Sequence, residues 1–159
     1  MADKLRGTFK QHEYGSIMLP LLVLRRMDAV LAPTKAEVVE YARGLDEIGN
    51  GPDKMLKRLA KQRFYNTSPF TFSTLLNDDK ELAANLTTYI AILSADAATV
   101  MDAYEFDSKI QRMDDAGILY SVVADFADLD LSPSVVSNEA MGYIFEKLSS
   151  RSCCGSSQR

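Results

Sequence analysis

The sequence predicts an all-α fold, a compact bundle of about seven to nine helices joined by short loops. Three observations carry this expectation. Apolar residues recur three or four positions apart along most of the chain. Start and stop signals break that pattern at intervals of helix length. No alternating apolar–polar run bounded by turn residues, the mark of paired strands, can be found.

Taken in order, Leu21, Leu24, Met27 (or Asp28 beside it) and Leu31 make the first apolar stripe. Pro20 is tolerated if it sits in the first turn, where a missing N–H does no harm. Thr34-Lys35-Ala36-Glu37 reads as a capping box, and the helix it opens should stop at Gly44. Gly49-Asn50-Gly51-Pro52 is a turn. Beyond it Met55, Leu56 and Leu59 are expected to face inward. Asp78-Asp79-Lys80-Glu81 gives a second box-like start, behind which Leu82, Leu86, Tyr89, Ile90 and Leu93 share one face. Ser94 and Asp107 are candidate N-caps and Gly117 a candidate stop. Ile118, Leu119, Val122 and Phe126 continue the pattern, and Met141, Ile144, Phe145 and Leu148 form the last face. From Ser149 to Arg159 the chain is small, polar and aperiodic, so a disordered tail is expected after a domain of residues 1–148.

Composition narrows the function. The 159 residues, 47% hydrophobic and 25% charged, suit one soluble globular domain. Net charge is −4, so no overall basic footprint exists, but the sign is uneven. Residues 1–79 carry 12 Lys/Arg against 10 Asp/Glu, and residues 80–159 carry 6 against 12. Any surface facing a polyanion belongs in the first half. The most apolar stretch, Ile17 to Leu24, is far short of the roughly 20 residues of a membrane span. Cys153 and Cys154, adjacent in a polar segment, suggest neither a disulfide framework nor a metal site. No secretory signal is seen, and a cytoplasmic protein is expected.

One segment has the physics of phosphate contact. On a helix, Lys54, Lys57, Arg58 and Lys61 fall within an arc of roughly 100°, opposite the apolar face, with Arg63 just beyond. The bland alternative is a solvated outer face. Phe64-Tyr65-Asn66 follows directly; it can offer an aromatic and an amide to a base, or simply anchor a core. Arg25, Arg26 and Asp28 read equally as a subunit-interface cluster or as a helix end with its dipole-complementing cations. The lone His12 has no nucleophile in register, and Asp78-Asp79-Glu81 and Asp114-Asp115 are explained by helix dipoles and solvation. No P-loop, EF-hand, HExxH or Gly-x-Ser-x-Gly occurs, so these residues assign no catalytic or metal site.

A longer pattern is more specific. Leu19 to Leu31, reading Leu-Pro-Leu-Leu-Val-Leu-Arg-Arg-Met-Asp-Ala-Val-Leu, resembles the opening signature of the methylation (M) subunits of type I restriction-modification systems. In the same order follow Phe64-Tyr65-Asn66-Thr67-Ser68, Leu75-Leu76, Ala84-Asn85-Leu86 and Tyr89-Ile90. Phe106-Asp107, Ile110, Leu119-Tyr120, Phe126, Val136-Ser137-Asn138 and Met141 to Glu146 complete the series, which spans roughly residues 3–148.

The resemblance implies an N-terminal helical domain that helps enclose DNA and assemble a complex. Two M subunits pair with a specificity subunit, which reads the target. Methyl transfer to adenine N6 from S-adenosylmethionine belongs to a following domain, with a Gly-rich loop and an Asn-Pro-Pro-aromatic motif for the flipped base. This sequence contains no Pro-Pro pair. The expectation is therefore a domain cut off before its catalytic part, by an interrupted gene or as an artefact, with no cofactor of its own. The expected partners are the specificity subunit, a second M subunit and DNA, with no membrane. The alternative is a free-standing helical module that binds those subunits as a regulator or decoy.

Overall fold

In the computed structural model, residues 2–45 and 52–153 are described, with side chains to residue 150. Among them the fold is all-α, with ten α-helices, two 3₁₀ turns and only two isolated β-bridges. Two of the ten are single turns, α1 (Ala2–Leu5) and α5 (Phe72–Leu75). The expected turn at Gly49-Asn50-Gly51 lies outside the described residues.

The longest helix, α2 (Tyr14–Leu31), is the axis of the molecule. Ile17, Leu19, Leu21, Leu22, Leu24 and Leu31 are buried on several of its sides, as suits a helix packed by neighbours all round. It starts two turns earlier than its apolar stripe suggests, after the 3₁₀ turn Gln11–Glu13. Pro20 therefore sits in the helix interior rather than its first turn, and has no N–H to offer the Ser16 carbonyl. Pro20 is nonetheless buried.

Around α2 pack α6 (Leu82–Ala91), α7 (Ala95–Ala103), α8 (Phe106–Asp115), α9 (Leu119–Ala127) and α10 (Asn138–Cys153). The predicted face of α6 is buried in full: Leu82, Leu86, Tyr89 and Ile90, with Leu93 just after it. Tyr89 meets Phe72 of α5 edge-on, with centroids 6.2 Å apart and planes at 84°. Glu81 ends the turn before α6, where its N–H is held by the Asp78 carboxylate at 3.3 Å. Helix α8 begins one residue earlier than Asp107, after Glu105, which takes a left-handed φ of 50°. Gly117 stops it as predicted, with φ of 69° and paired reverse hydrogen bonds from Gly117 to Asp114 and from Ile118 to Met113. Helix α10 lies along α2 through Met141, Ile144, Phe145 and Leu148. It runs on to Cys153, so residues 149–153 are helical where their composition predicts a tail.

A second, smaller cluster sits at the C-terminal end of α2. Here Leu31 meets Val38 of α3 (Lys35–Arg43) and Leu56 and Ala60 of α4 (Pro52–Ala60), with Leu59 and Phe64 at its margin. Helix α3 stops at Gly44 as expected. The Thr34 hydroxyl does not cap α3. It donates instead to Leu31 O and Ala60 O, both at 3.3 Å, and so ties α4 to the α2–α3 corner. Met55, predicted inward, is 40% exposed, and Ala60 takes the inward position one turn later.

Candidate nucleic-acid interface

The basic segment rides on this small cluster. With Leu56 and Ala60 turned inward, helical geometry puts Lys54 and Arg58 outward, and both are exposed. Helix α4 ends at Ala60, so Lys61 is on the turn that follows rather than on the helical arc. Its φ of 54° lets Gln62 N–H reach Lys57 O and Lys61 N–H reach Arg58 O, each at 3.2 Å. Lys61 and Arg63 are exposed in turn. Among the described residues Lys54, Arg58, Lys61 and Arg63 form no ion pair, which leaves four exposed cations on α4 and the turn that follows it.

Lys57 differs. Its ammonium lies 3.1 Å from the Asp53 carboxylate and 2.9 Å from that of Asp96, in the first turn of α7. The hydrogen bond to Asp96, followed by that to Asp53, raises its pKa above the ordinary lysine value. Asp96 is 39 residues away, and no local pattern predicts the contact.

The segment after α4 is stitched to α6 and α7 through its backbone. Ser94 N–H donates to Tyr65 O at 3.0 Å, and Tyr65 N–H to the Ser94 hydroxyl at 3.3 Å. Ser94 thus caps α7 by position while its hydroxyl serves Tyr65. Asn66 is 1% exposed: its amide donates to Tyr89 O at 2.9 Å and accepts from Ser68 N–H at 2.7 Å. Both ends of that side chain are used inside the protein. The Tyr65 ring is half-buried, and burial, then the Asp53 charge, raises its pKa. Of the seven residues in the predicted interface, four are exposed cations without an ion pair among the described residues, Lys57 is held by two carboxylates, and Tyr65 and Asn66 fix the loop.

Arg25, Arg26 and Asp28 also lie within the protein's own framework. Asp28 is 9% exposed and accepts from Arg25 Nη1 at 3.2 Å, from Phe72 N–H at 3.3 Å and from the Tyr89 hydroxyl at 3.3 Å. Burial raises the Asp28 pKa, against the pull of these partners. Lys35, missed as part of this group, has its Nζ 5.4 Å from the Tyr89 ring centre and its pKa lowered to about 8 by burial. Arg26 donates to Leu131 O, to Val136 O at 2.7 Å and to Asn138 Oδ1 at 2.9 Å, and so pins the start of α10 to α2. These three residues join α2 to four other segments.

No described residues form a group of three or more His, Cys, Asp or Glu suited to a metal ion. Nor is any described helix long and apolar enough to cross a membrane. One open pocket, of about 490 Å³, is lined by Ala2, Arg6, Gln11, Tyr14, Gly15, Met18 and Leu148, which bring no acid–base pair together.

Comparison with curated proteins and with solved structures gives no match. Among protein families, the HsdM N-terminal domain matches residues 1–126, from α1 through most of α9. The chain therefore belongs to that family, the N-terminal domain of the M subunits of type I restriction-modification systems.

Proposed function

We propose that this chain is a binding domain of an adenine-N6 DNA methyltransferase subunit and touches DNA through its phosphates, along the ridge of Lys54, Arg58, Lys61 and Arg63. The observation that carries the reading is four exposed cations, without ion-pair partners among the described residues, on α4 and the turn behind it. Such an array exchanges condensed counterions for phosphate contacts and carries no sequence information, which suits a subunit whose target is read by another. Asn66 has no part in base reading on this proposal, because both ends of its amide are engaged in the core.

Among the chain's own residues there is no Asn-Pro-Pro-aromatic segment, the motif expected to receive the flipped adenine. No methyl-transfer step is assigned to them. The proposal gives this domain enclosure of DNA and assembly with the specificity subunit and a second M subunit. The test is to replace Lys54, Arg58, Lys61 and Arg63 with Ala in the chain. Binding to a short DNA duplex is then measured by anisotropy across a range of salt concentrations. Binding should weaken at least roughly tenfold, and the slope of log K against log salt should flatten by up to about 3.6. An unchanged slope would remove the ridge from the interface.

A further inference from the structure

We infer that Asp96, together with Asp53, holds Lys57 in place of DNA phosphate and so sets how many cations the ridge can release to DNA. The inference rests on the phosphate-contact reading above and concerns the regulation of that same site.

Lys57 lies within the arc shared by Lys54 and Arg58, so by position it belongs with the phosphate contacts. Its partners remove it. Asp53, one turn back on α4, and Asp96 of α7 both reach its ammonium, and the three groups together carry a net charge of −1. The middle of a basic ridge is thus slightly negative. A single exposed pair four residues apart on a helix is weak and gives way readily to a phosphate. The second carboxylate changes the balance, because a phosphate must now compete with two anions already seated. Asp96 is itself 73% exposed, so the contact lies at the surface, where a phosphate would have to displace it. The backbone bonds between Ser94 and Tyr65 hold the first turn of α7 beside α4, so the contact is built into the fold. Asp96 acts through Lys57 and is a positioning residue.

Removal of Asp96 should free Lys57 for phosphate. In the full chain, Asp96→Ala should steepen the slope of log K against log salt by about 0.9, one released counterion. Binding to a short DNA duplex should tighten roughly threefold to tenfold near 0.1 M salt. Asp96→Glu, which keeps the charge, should bind as the unaltered protein does. In a Lys57→Ala background, Asp96→Ala should leave the slope unchanged. The exposed position of Asp96 makes all three variants compatible with folding, and their melting midpoints provide the check. An unaltered slope in Asp96→Ala, or an equal gain in the Lys57→Ala background, would overturn the inference. The first outcome would make the Lys57 pairing irrelevant, and the second would make Asp96 only a distant repelling charge. If the four-residue ridge variant also loses no affinity, the proposed interface itself fails.

Discussion

Asp28 brings a carboxylate into the core and surrounds it with an arginine, a tyrosine hydroxyl and a backbone N–H, while Lys35 approaches from α3. A buried ion pair of this kind contributes little net stability, but the loss of one partner strands the other, at about 3–5 kcal/mol. Among the described residues one buried donor, Arg25 Nε, has no partner even so. Lys35 gives the cluster a measurable pH signature. Its folded pKa, about 8, lies below its ordinary value of 10.5. A depressed folded pKa means that the fold favours the neutral amine. The Lys35 contribution is therefore present above 10.5, declines between there and 8, and is lost as pH falls through 8. The urea midpoint of the unaltered chain, relative to Lys35→Met, should rise between pH 8 and pH 10. A pH-independent difference would show that Lys35 is solvated like any surface lysine. The cluster was not legible from local sequence. Asp28 was visible as a charged residue beside an apolar stripe, but Phe72 and Tyr89 lie 44 and 61 residues further on.

Helices were the part of the structure that periodicity revealed, because a 3.6-residue repeat of apolar groups is local information. The faces of α6, α9 and α10 follow from it. What failed was the assignment of polar groups with two possible partners. Thr34 has a capping position, yet its hydroxyl bonds carbonyls of α2 and α4, which the tertiary fold brings near. Pro20 lies mid-helix because α2 begins at Tyr14, well before the stripe that the apolar spacing shows. Met55 misled because α4 turns Leu56 and Ala60 to the core, and Met55 lies about 100° round the helix from Leu56. The ends of α4 and α8 permit a direct comparison. Both use the same reverse hydrogen-bond pair, with glycine at φ 69° in one and lysine at φ 54° in the other. The left-handed position costs a non-glycine residue on the order of 1 kcal/mol. Lys61→Gly should therefore raise stability by about 0.5–1 kcal/mol in urea unfolding. Gly117→Ala should lower it by about 1 kcal/mol, purely through torsion, since no atom lies within 4 Å of the added Cβ. Equal and small effects at both ends would contradict this account.

At the scale of the molecule, sequence told where basic residues cluster but not which of them remain available. The ridge was legible because helical spacing puts Lys54 and Arg58 on one side. The capture of Lys57 was not, because it depends on how α7 is placed against α4. The division of the core into a large cluster and a small one was equally hidden, since apolar spacing does not say which stripes meet. That division has a kinetic consequence. The small cluster has four buried residues, Leu31, Val38, Leu56 and Ala60, and is tied to the rest through the end of α2, the Ser94–Tyr65 bonds and Lys57. Segments supported by few buried contacts open by sub-global fluctuation at a fraction of the free energy of global unfolding. Amide hydrogens of α3 and α4 should exchange at least roughly tenfold faster than those of α6 and α9 under native conditions. Uniform protection across the four helices would deny it. If they do exchange faster, the ridge is carried by the least anchored part of the fold, and a bound duplex would slow α3 and α4 exchange while leaving the large cluster untouched.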